Sequence, residues 1–354
     1  YIPEKIAVRQ LKKLRKRIYA RIDADGIVLV SGKGKRKTPI QRLSEWIDQC
    51  LAKLKQYTKD IHICGNRNSF SKTDYDATFM HMKEDYMRNG QLKPGYNVNV
   101  ATCSDFIIGS YISSDRNDVH TLIPFMEQLR KNYAGRNIGS VVVDSGYESE
   151  ENYCWFEAHP ETELYVKPSN HEAVKHRKYR TDISRRENMA YDAQTDTYTC
   201  ANGKLLQRTQ EKKMHTASGL EIATSVYECN ECDGCPLKEK CIRACGSKKP
   251  LEERYKVIYV SKRFARQRQA MEAKISSPKG CLLRVNRSIQ AEGNFAYVKQ
   301  DLDFRRFLLR GNMKVAAEWL LFSLALNILH LHHKIQNRRL GSDLKIPSSF
   351  PAGL

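Results

Sequence analysis

The 354-residue sequence contains no run of about 18 consecutive apolar residues, the length that a membrane-spanning helix needs. Its first residues also lack the apolar core of a secretory signal. The longest apolar stretch, residues 319–329, is too short to cross a bilayer and is typical of a buried helix. We therefore expect a protein that works without a membrane.

Acidic residues are scarce relative to basic ones, because 40 Asp and Glu stand against 60 Lys and Arg, a formal net charge of +20. The excess is already strong in residues 1–40, which contain twelve basic and three acidic side chains. A large positive charge favours a polyanionic partner, since each phosphate neutralised by Lys or Arg releases counterions. The composition therefore predicts a nucleic-acid-binding protein.

Eleven cysteines occur in a chain without a secretory signal, which favours a reducing, cytoplasmic compartment. Cys200 and Cys245 lie near four others with the spacing Cys229-x2-Cys232-x2-Cys235-x5-Cys241. Paired CxxC spacings let sulfurs from one turn reach a tetrahedral ion, so these four predict a structural Zn²⁺ site, a zinc knuckle. An iron–sulfur cluster or a set of free buried thiols would use the same residues.

Two helices are predicted near the start of the chain, in residues 4–21 and 43–54, from apolar residues at helical spacing. Between them, residues 26–30 predict a short strand. Two interpretations of this basic segment stay open. It is either a solvated helical hairpin or an arm that contacts the DNA backbone, which would position the protein without reading sequence.

Beyond this segment the pattern changes. Residues 96–112 alternate in polarity around a central turn, which predicts a β-hairpin, and residues 121–133 have helical apolar spacing. The continuous apolar run 141–143 is typical of a buried central strand, and it ends at Asp144. An Asp at the end of such a strand is ambiguous on its own, because it often only caps a turn.

Residues 170–280 are polar and rich in cysteine, which indicates an inserted subdomain that ends with a basic helix at 262–275. After Pro278 a new helical stretch begins, and it contains Glu292. Residues 315–333 are apolar nearly all round at first, so we expect a helix that lies in the core.

Three segments, residues 67–100, 141–153 and 287–311, closely resemble the insertion-sequence transposases of the DDE superfamily. The likeness covers roughly residues 40–335, and the segment RSIQAEGNFAYVKQDLDFRRFLLRG is too long to be a chance match. The resemblance implies an α/β fold, a ribonuclease H-like mixed sheet flanked by helices, with a helical N-terminal segment and a Cys-rich insertion subdomain.

The domain boundaries predicted from pattern and resemblance separate a basic segment, a divided core, an insertion and a tail. They are 1–65 for the basic helical segment, 66–170 and 281–335 for the two parts of the core, 171–280 for the insertion, and 336–354 for the tail.

By position, the resemblance implies that Asp144 is the second catalytic Asp and Glu292 the catalytic Glu. Such carboxylates bind two Mg²⁺ or Mn²⁺ ions about 4 Å apart, which activate the attacking oxygen and stabilise the leaving one. Lys299 matches a lysine that contacts DNA near the cleaved end, and two helical turns from Glu292 it would share one helix face. Arg287 departs from the stricter Tyr-Arg-Glu-Lys spacing of some relatives.

Three arginines after the Glu292 region are further candidates for holding a phosphate backbone, or are ordinary exposed charges: Arg305, Arg306 and Arg310. The first catalytic Asp of the family belongs on the first strand of the core. The resemblance places that strand before Tyr1, so the chain alone would hold two of three carboxylates and be inactive. Asp74 and Asp76 are the fallbacks within the chain.

The function implied is metal-dependent cleavage and strand transfer at the terminal inverted repeats of a mobile element. Its partners would be those ends, the target DNA and further copies of the protein, in the bacterial cytoplasm at the nucleoid. Two alternatives stay open. One is a ribonuclease H-like nuclease that cuts without joining, and the other a truncated or domesticated transposase remnant that binds DNA without catalysis.

Overall fold

The computed structural model describes residues 8–82, 89–216, 218–243, 249–342 and 344–345. The chain forms two compact units, Tyr1–Tyr96 and Asn97–Leu354, and each is described by itself. Cys245 of the predicted cysteine cluster lies outside the described residues.

The first unit is a helical hairpin followed by a small antiparallel sheet. Its elements are α1 (Val8–Ala24), α2 (Pro39–Cys64), β1 (Thr78–Met80) and β2 (Lys93–Gly95). The helices pack through Ile18, Ile22 and Ile47. Thr38 caps α2 by accepting the backbone N–H of Gln41, as a threonine before a helix does. The two predicted basic-segment helices are therefore present.

The strand predicted at residues 26–30 is wrong, because these residues pair with no strand. Their backbone finds other partners. The Val30 N–H donates to Gln41 Oε1 at 3.1 Å, and the Val30 carbonyl accepts from Gln41 Nε2 at 2.6 Å. The Ile27 N–H donates to the Ile22 carbonyl at the end of α1. A side chain and a helix end thus satisfy the groups that a neighbouring strand would otherwise bind.

The second unit contains a hairpin, a parallel pair and a larger sheet. The hairpin joins β3 (Asn97–Cys103) to β4 (Phe106–Ser113), and β5 (Ser140–Val143) runs parallel to β6 (Glu163–Val166). Ser104 and Asp105 have φ angles of 53° and 73°, as a two-residue hairpin turn requires. The hairpin predicted at 96–112 is confirmed.

The five-stranded sheet is antiparallel, with the order β11-β10-β9-β8-β7. Its strands are β7 (Ala190–Asp192), β8 (Thr197–Thr199), β9 (Leu205–His215), β10 (Glu221–Cys229) and β11 (Lys256–Val260). It occupies the region predicted to be an insertion.

Eight α-helices are described in the second unit, together with several short 3-10 turns. They are α3 (Leu122–Asn132), α4 (Glu150–Glu157), α5 (Arg177–Arg180), α6 (Lys238–Cys241), α7 (Lys262–Ser276), α8 (Pro278–Arg287), α9 (Gly293–Ala296) and α10 (Asn312–Gln336). Two π-helical segments, Ser288–Glu292 and Tyr297–Asp301, flank α9, so residues 278–301 are continuously helical. We call this stretch the Glu292 helix. The helices predicted at 121–133, at 262–275 and after Pro278 are confirmed.

The β3–β4 hairpin has a helical layer on each face. One face shares a core with β5, β6, α3, α4 and α7, in which Phe125 and Ile275 are buried. The other face packs on α10 and the Glu292 helix through Ile107, Val298 and Trp319. The result is a mixed α/β arrangement of helices around small sheets.

The strand before Asp144 differs from its prediction. β5 is mostly half-buried, and within the described part of the chain it pairs only with β6, so it is not a buried central strand. Ala101 of β3 and Val141 and Val143 of β5 contact the same core, yet no hydrogen-bonded ladder joins β3 to β5. Each of these two strands therefore has an edge without a strand partner among the described residues.

The expectation that α10 lies in the core is wrong for half of its surface. Because β4 and the Glu292 helix cover only one side, Val315, Trp319 and Leu326 are buried. Four apolar residues on the uncovered side are more than half exposed: Leu320, Leu321, Leu324 and Ile328.

By length and composition, α10 is also the one described helix that could cross a membrane, which is weak evidence by itself. Its packed side carries polar groups with partners in the same unit. Glu318 accepts the Leu308 N–H at 2.9 Å, and the Asn327 amide bonds both backbone groups of Ile107 at 2.8 Å. These hydrogen bonds attach α10 to β4 and to the loop that precedes the helix.

Candidate active site

The Glu292 helix is positioned by a tight turn after α7. Ser277 ends α7 and caps α8 by accepting the Gly280 N–H at 3.1 Å, with Pro278 in the first turn. A Cβ on Gly280 would lie 2.3 Å from the Lys274 carbonyl oxygen, so only glycine fits this close approach. From this turn the helix passes two strands. Its α8 part contacts β5, and its first π-helical segment contacts β3.

Asp144 directly follows β5, as predicted. Its Oδ1 accepts the Ser145 N–H at 2.8 Å, so the carboxylate caps the short turn Ser145–Tyr147. The side chain remains 47% exposed. The capping role expected of any strand-terminal Asp is therefore real, and it leaves a second carboxylate oxygen open to solvent and to ligands.

Glu292 ends the first π-helical segment. Its Oε1 accepts from Arg287 Nη2 and its Oε2 from Ser288 Oγ, both at 2.9 Å. The side chain is 60% exposed. A π-helical turn brings residues five apart onto the same face, and such turns are frequent at functional sites. This turn accommodates the unusual spacing of Arg287 and places its guanidinium beside Glu292.

Arg287 links the two carboxylates. Its Nη2 lies 4.0 Å from Asp144 Oδ1 and 2.9 Å from Glu292 Oε1. The structure thus brings together two acidic side chains from distant parts of the sequence around one cation. A positive charge between two carboxylates offsets their mutual repulsion.

A third acidic residue, Asp118, lies beside the Asp144 turn, and reasoning from the sequence did not find it. Asn97 Nδ2 donates to Asp118 Oδ1 at 2.7 Å. A Cβ on Gly146 would lie 2.9 Å from Asp118 Oδ2, so glycine allows the close approach. The only sequence signal was an Asp two residues after Arg116, at the start of a helix, which is an ordinary position for an acid.

Tyr147 connects the turn after Asp144 to β3. Its hydroxyl donates to Asn99 Oδ1 at 2.5 Å, and Asn99 is buried in β3. Burial raises the pKa of Tyr147 well above its usual value, and the charges of Asp118 and Asp144 raise it further. The phenol therefore stays neutral and acts as a fixed hydrogen-bond donor that ties the Asp144 turn to β3.

A buried ion pair supports the same turn. Glu148 is 1% exposed and accepts two hydrogen bonds from Arg268 of α7, each at 2.8 Å. It also accepts the Ser169 N–H at 2.8 Å. The pair fixes α7, which leads into the Glu292 helix, against the chain that follows Asp144.

The predicted DNA-contacting residues are exposed. Lys299 lies in the second π-helical segment with its Nζ 5.8 Å from the Phe295 ring centre, and Arg305 pairs with Asp303 at 2.5 Å. Arg305, Arg306 and Arg310 belong to the loop between the Glu292 helix and α10. Because π-helical turns interrupt the α-helix, the shared helix face expected for Glu292 and Lys299 stays a prediction.

Asp74 and Asp76 belong to the first unit, where local contacts hold the Asp74 side chain and the Asp76 backbone. The Asp74 carboxylate accepts from the Tyr96 hydroxyl at 2.5 Å, and the Asp76 carbonyl accepts from Arg67 at 3.0 Å. These contacts are those of a folded loop.

Five cysteines line one small cavity at an end of the five-stranded sheet: Cys200, Cys229, Cys232, Cys235 and Cys241. The described cysteines are free thiols. Burial raises the pKa of the Cys229 thiol to about 11, and that of Cys241 is raised for the same reason. Within the described residues, no three His, Cys, Asp or Glu side chains converge as a preformed metal site, here or around Asp144.

Comparison with known proteins gives one family. Residues 199–332 match the family model described as transposase DDE domain, which supports a DDE-class transposase. The matched segment contains the cysteine cavity, Glu292 and Lys299, whereas Asp144 lies before it. No curated protein and no solved structure gives a significant match to the chain.

Proposed function

Because residues 199–332 carry a transposase DDE domain, we propose that this chain supplies the catalytic core of a DNA transposase. The reaction is metal-dependent cleavage at the ends of an insertion sequence, followed by strand transfer into target DNA. The observation that carries the proposal is the approach of Asp144 and Glu292 to the same guanidinium group of Arg287.

The residues fit a divalent metal in the nature of their donors. Asp144 and Glu292 offer carboxylate oxygens, which Mg²⁺ and Mn²⁺ prefer, and both are exposed enough to admit a hydrated ion and a phosphate. When bound, such ions activate the attacking oxygen and stabilise the leaving one. Arg287 keeps the two carboxylates close to each other, and Tyr147 fixes the turn after Asp144 against β3.

The remaining catalytic carboxylate is the first Asp of the family. We place it in a ribonuclease H-like arrangement in which one further strand lies between β3 and β5. Three observations support this. β3 and β5 pack on one core, neither free edge has a strand partner in the described residues, and the Glu292 helix contacts both strands. An unpaired strand edge is a template for another strand. We propose that this strand lies outside the 354 residues and carries the first Asp.

The partners are the terminal inverted repeats, the target DNA and further copies of the protein, in the cytoplasm at the nucleoid. We assign phosphate contact to Lys299, which is exposed near the end of the Glu292 helix, and to three exposed arginines in the loop after it: Arg305, Arg306 and Arg310. The high net positive charge supports this role. A non-catalytic DNA-binding remnant is the second candidate, because two convergent carboxylates alone would not complete a metal site.

The test is Mg²⁺- or Mn²⁺-dependent nicking of inverted-repeat DNA by the full-length polypeptide that contains this chain. Asp144→Asn and Glu292→Gln should each lower the rate at least ~100-fold, because even indirect supports of metal ligands matter 10–100-fold. Glu127→Gln, at an exposed position of α3, is the matched control and should keep full activity.

Unchanged nicking by either site variant would refute the assignment. A wild-type protein that binds the DNA in a salt-dependent manner but never nicks it would instead support the remnant.

A further inference from the structure

The order of strands in the five-stranded sheet brings Cys200 to the other cysteines. Cys200 begins the turn between β8 and β9, where its N–H donates to the Lys204 carbonyl at 2.8 Å. β9 runs antiparallel to β10, with Gln207 opposite Glu228, and Cys229 lies opposite Lys256 of β11. The start of β9, the end of β10 and the start of β11 therefore meet at one end of the sheet.

The cysteines at this end enclose a cavity of about 20 Å³, room for roughly one water-sized particle. Cys229, Cys232 and Cys241 are 2%, 7% and 9% exposed. Cys200 and Cys235 are both half-buried, but Cys200 packs against the apolar cluster that contains Cys229 and Cys232, whereas Cys235 does not. This contact favours Cys200 over Cys235 as the fourth thiol beside the three buried ones.

The positive charge beside the cavity favours a negatively charged group within it. Lys256 is only 9% exposed, and its Nζ donates to two carbonyl oxygens, of Ser184 at 2.7 Å and of Cys241 at 3.1 Å. No carboxylate pairs with it in the described part of the chain. A buried ammonium group without a counter-charge is costly.

A zinc ion bound by four thiolates carries two negative charges, which would supply that counter-charge. Lys204 and Lys238 also line the cavity, but each already has an acidic partner nearby. In addition, the backbone N–H of Lys256 donates to Cys232 Sγ at 3.4 Å. Hydrogen bonds of this kind favour a thiolate over a thiol.

We propose that the cavity binds one Zn²⁺ through Cys200, Cys229, Cys232 and Cys241. Cys235, which the sequence spacing had included, stands beside the site. Metal would draw the four thiols together with loss of their protons, as in other sites that form on metal binding. The ion would clamp the β8–β9 turn to the end of β10 and to α6, and it has no part in strand transfer.

The experiment measures metal content and the Co²⁺ spectrum of the purified protein and its variants. Wild type should contain about one equivalent of zinc, and Cys200→Ser should contain less than half. Cys200→His should restore binding, because Cys₃His sites are common. Cys235→Ser and the remote control Cys103→Ser should keep the metal. In the Co²⁺-loaded protein, Cys200→Ser should lose about a quarter of the thiolate charge-transfer intensity.

Three results would overturn the proposal. One is iron, or no metal, in the wild-type protein. Another is full zinc content in Cys200→Ser. The last is loss of zinc in Cys235→Ser with retention in Cys200→Ser, which would favour the four cysteines of the continuous 229–241 spacing. If Cys200→Ser does not fold, Cys200→His and the Co²⁺ spectrum of Cys235→Ser still decide the ligand set. Because zinc content is measured without DNA, this outcome is independent of nicking by the carboxylate site.

Discussion

The carboxylate site and the cysteine cavity differ in how the chain builds them. Asp144 and Glu292 come from a strand end and a distorted helix, are about half exposed, and meet only because the core folds. The cysteines of 229–241 are close in sequence, and three of those lining the cavity are buried. The first site is open to solvent, and the second is a cavity of about 20 Å³.

This difference indicates a division of roles. The open pair of carboxylates beside Arg287 leaves room for a hydrated metal ion, and its geometry depends on supports such as Tyr147 and Glu148. The cysteine cavity is too small for a substrate, so the role proposed for it is structural. The predictions that follow separate the two regions by what each loses when it is disturbed.

The largest effect should come from removing zinc. Structural zinc contributes roughly 10 kcal/mol or more to the folding of small metal sites, so a strong chelator should unfold the sheet that carries the cysteines. Proteolysis of the chelated protein should then cut first between residues 190 and 260. Unaltered resistance to protease after verified zinc removal would show that the cavity does not depend on metal.

The next effect concerns the support of the carboxylate site. Glu148→Ala should lower the free energy of unfolding by about 3 kcal/mol, the lower end of the range for buried pairs, because it removes the buried partner of the partly buried Arg268 guanidinium. Glu157→Ala is the matched control. Its ion pair with Arg263 also joins α4 to α7 but is half exposed, so we expect a loss of about 1 kcal/mol or less.

Denaturant unfolding of both variants provides the comparison. Equal losses would mean that the Glu148–Arg268 pair is not the buried support described here. The double variant Glu148→Leu/Arg268→Met should recover most of the stability, since it removes both charges together.

Much of the local structure followed from sequence pattern, whereas the site did not. The hairpin at 96–112 and the helix over 121–133 are set by local alternation and periodicity. Asp144 and Glu292 look ordinary in isolation, and the resemblance singled them out. Arg287 could not be placed, because a π-helical turn that shifts it toward Glu292 leaves no mark in apolar spacing. Asp118 gave no signal beyond that of an ordinary acid at the start of a helix.

Two errors have a common physical cause. The apolar residues of β5 and α10 predicted that both elements are buried, yet each has an uncovered side. Apolar content predicts which residues avoid water, but the number of elements that pack against a strand or helix is a property of the tertiary fold.

A smaller effect should appear in DNA binding. Lys299→Ala and Arg306→Ala should each weaken binding in low salt and reduce the salt dependence, log Kd against log salt concentration, by about 0.9. Lys131→Ala, an exposed lysine on α3, is the control for general charge. Slopes that fall equally in all three variants would mean that the end of the Glu292 helix and the loop after it have no special role.

The smallest effect is electrostatic and lies in the five-stranded sheet. The hydrogen bond from Lys262 chiefly, with those from Tyr227 and Tyr191, lowers the pKa of Asp196 from 3.8 to about 2. Because the folded pKa is depressed, the stability it contributes is present above about pH 4 and is lost as pH falls through about 2. Lys262 is nearly half exposed, so we expect no more than about 1 kcal/mol.

Asp196→Asn tests this with little backbone strain, because Asn tolerates the φ of 53° found there. Thermal unfolding of both proteins at pH 6 and pH 3 gives the difference, which cancels any common effect of acid on the cysteines. A stability gap between the proteins that does not shrink at low pH would contradict the assigned role.

The central claim is that Asp144 and Glu292 form one metal site, and localised cleavage tests it most directly. Full-length protein is loaded with Fe²⁺ in place of Mg²⁺, and ascorbate and peroxide are added so that radicals cut the chain near the bound ion. We expect cuts close to both residue 144 and residue 292, suppressed by excess Mg²⁺ and absent in Asp144→Asn, while Glu127→Gln behaves like wild type. Cuts near only one of the two residues, or none near either, would contradict it.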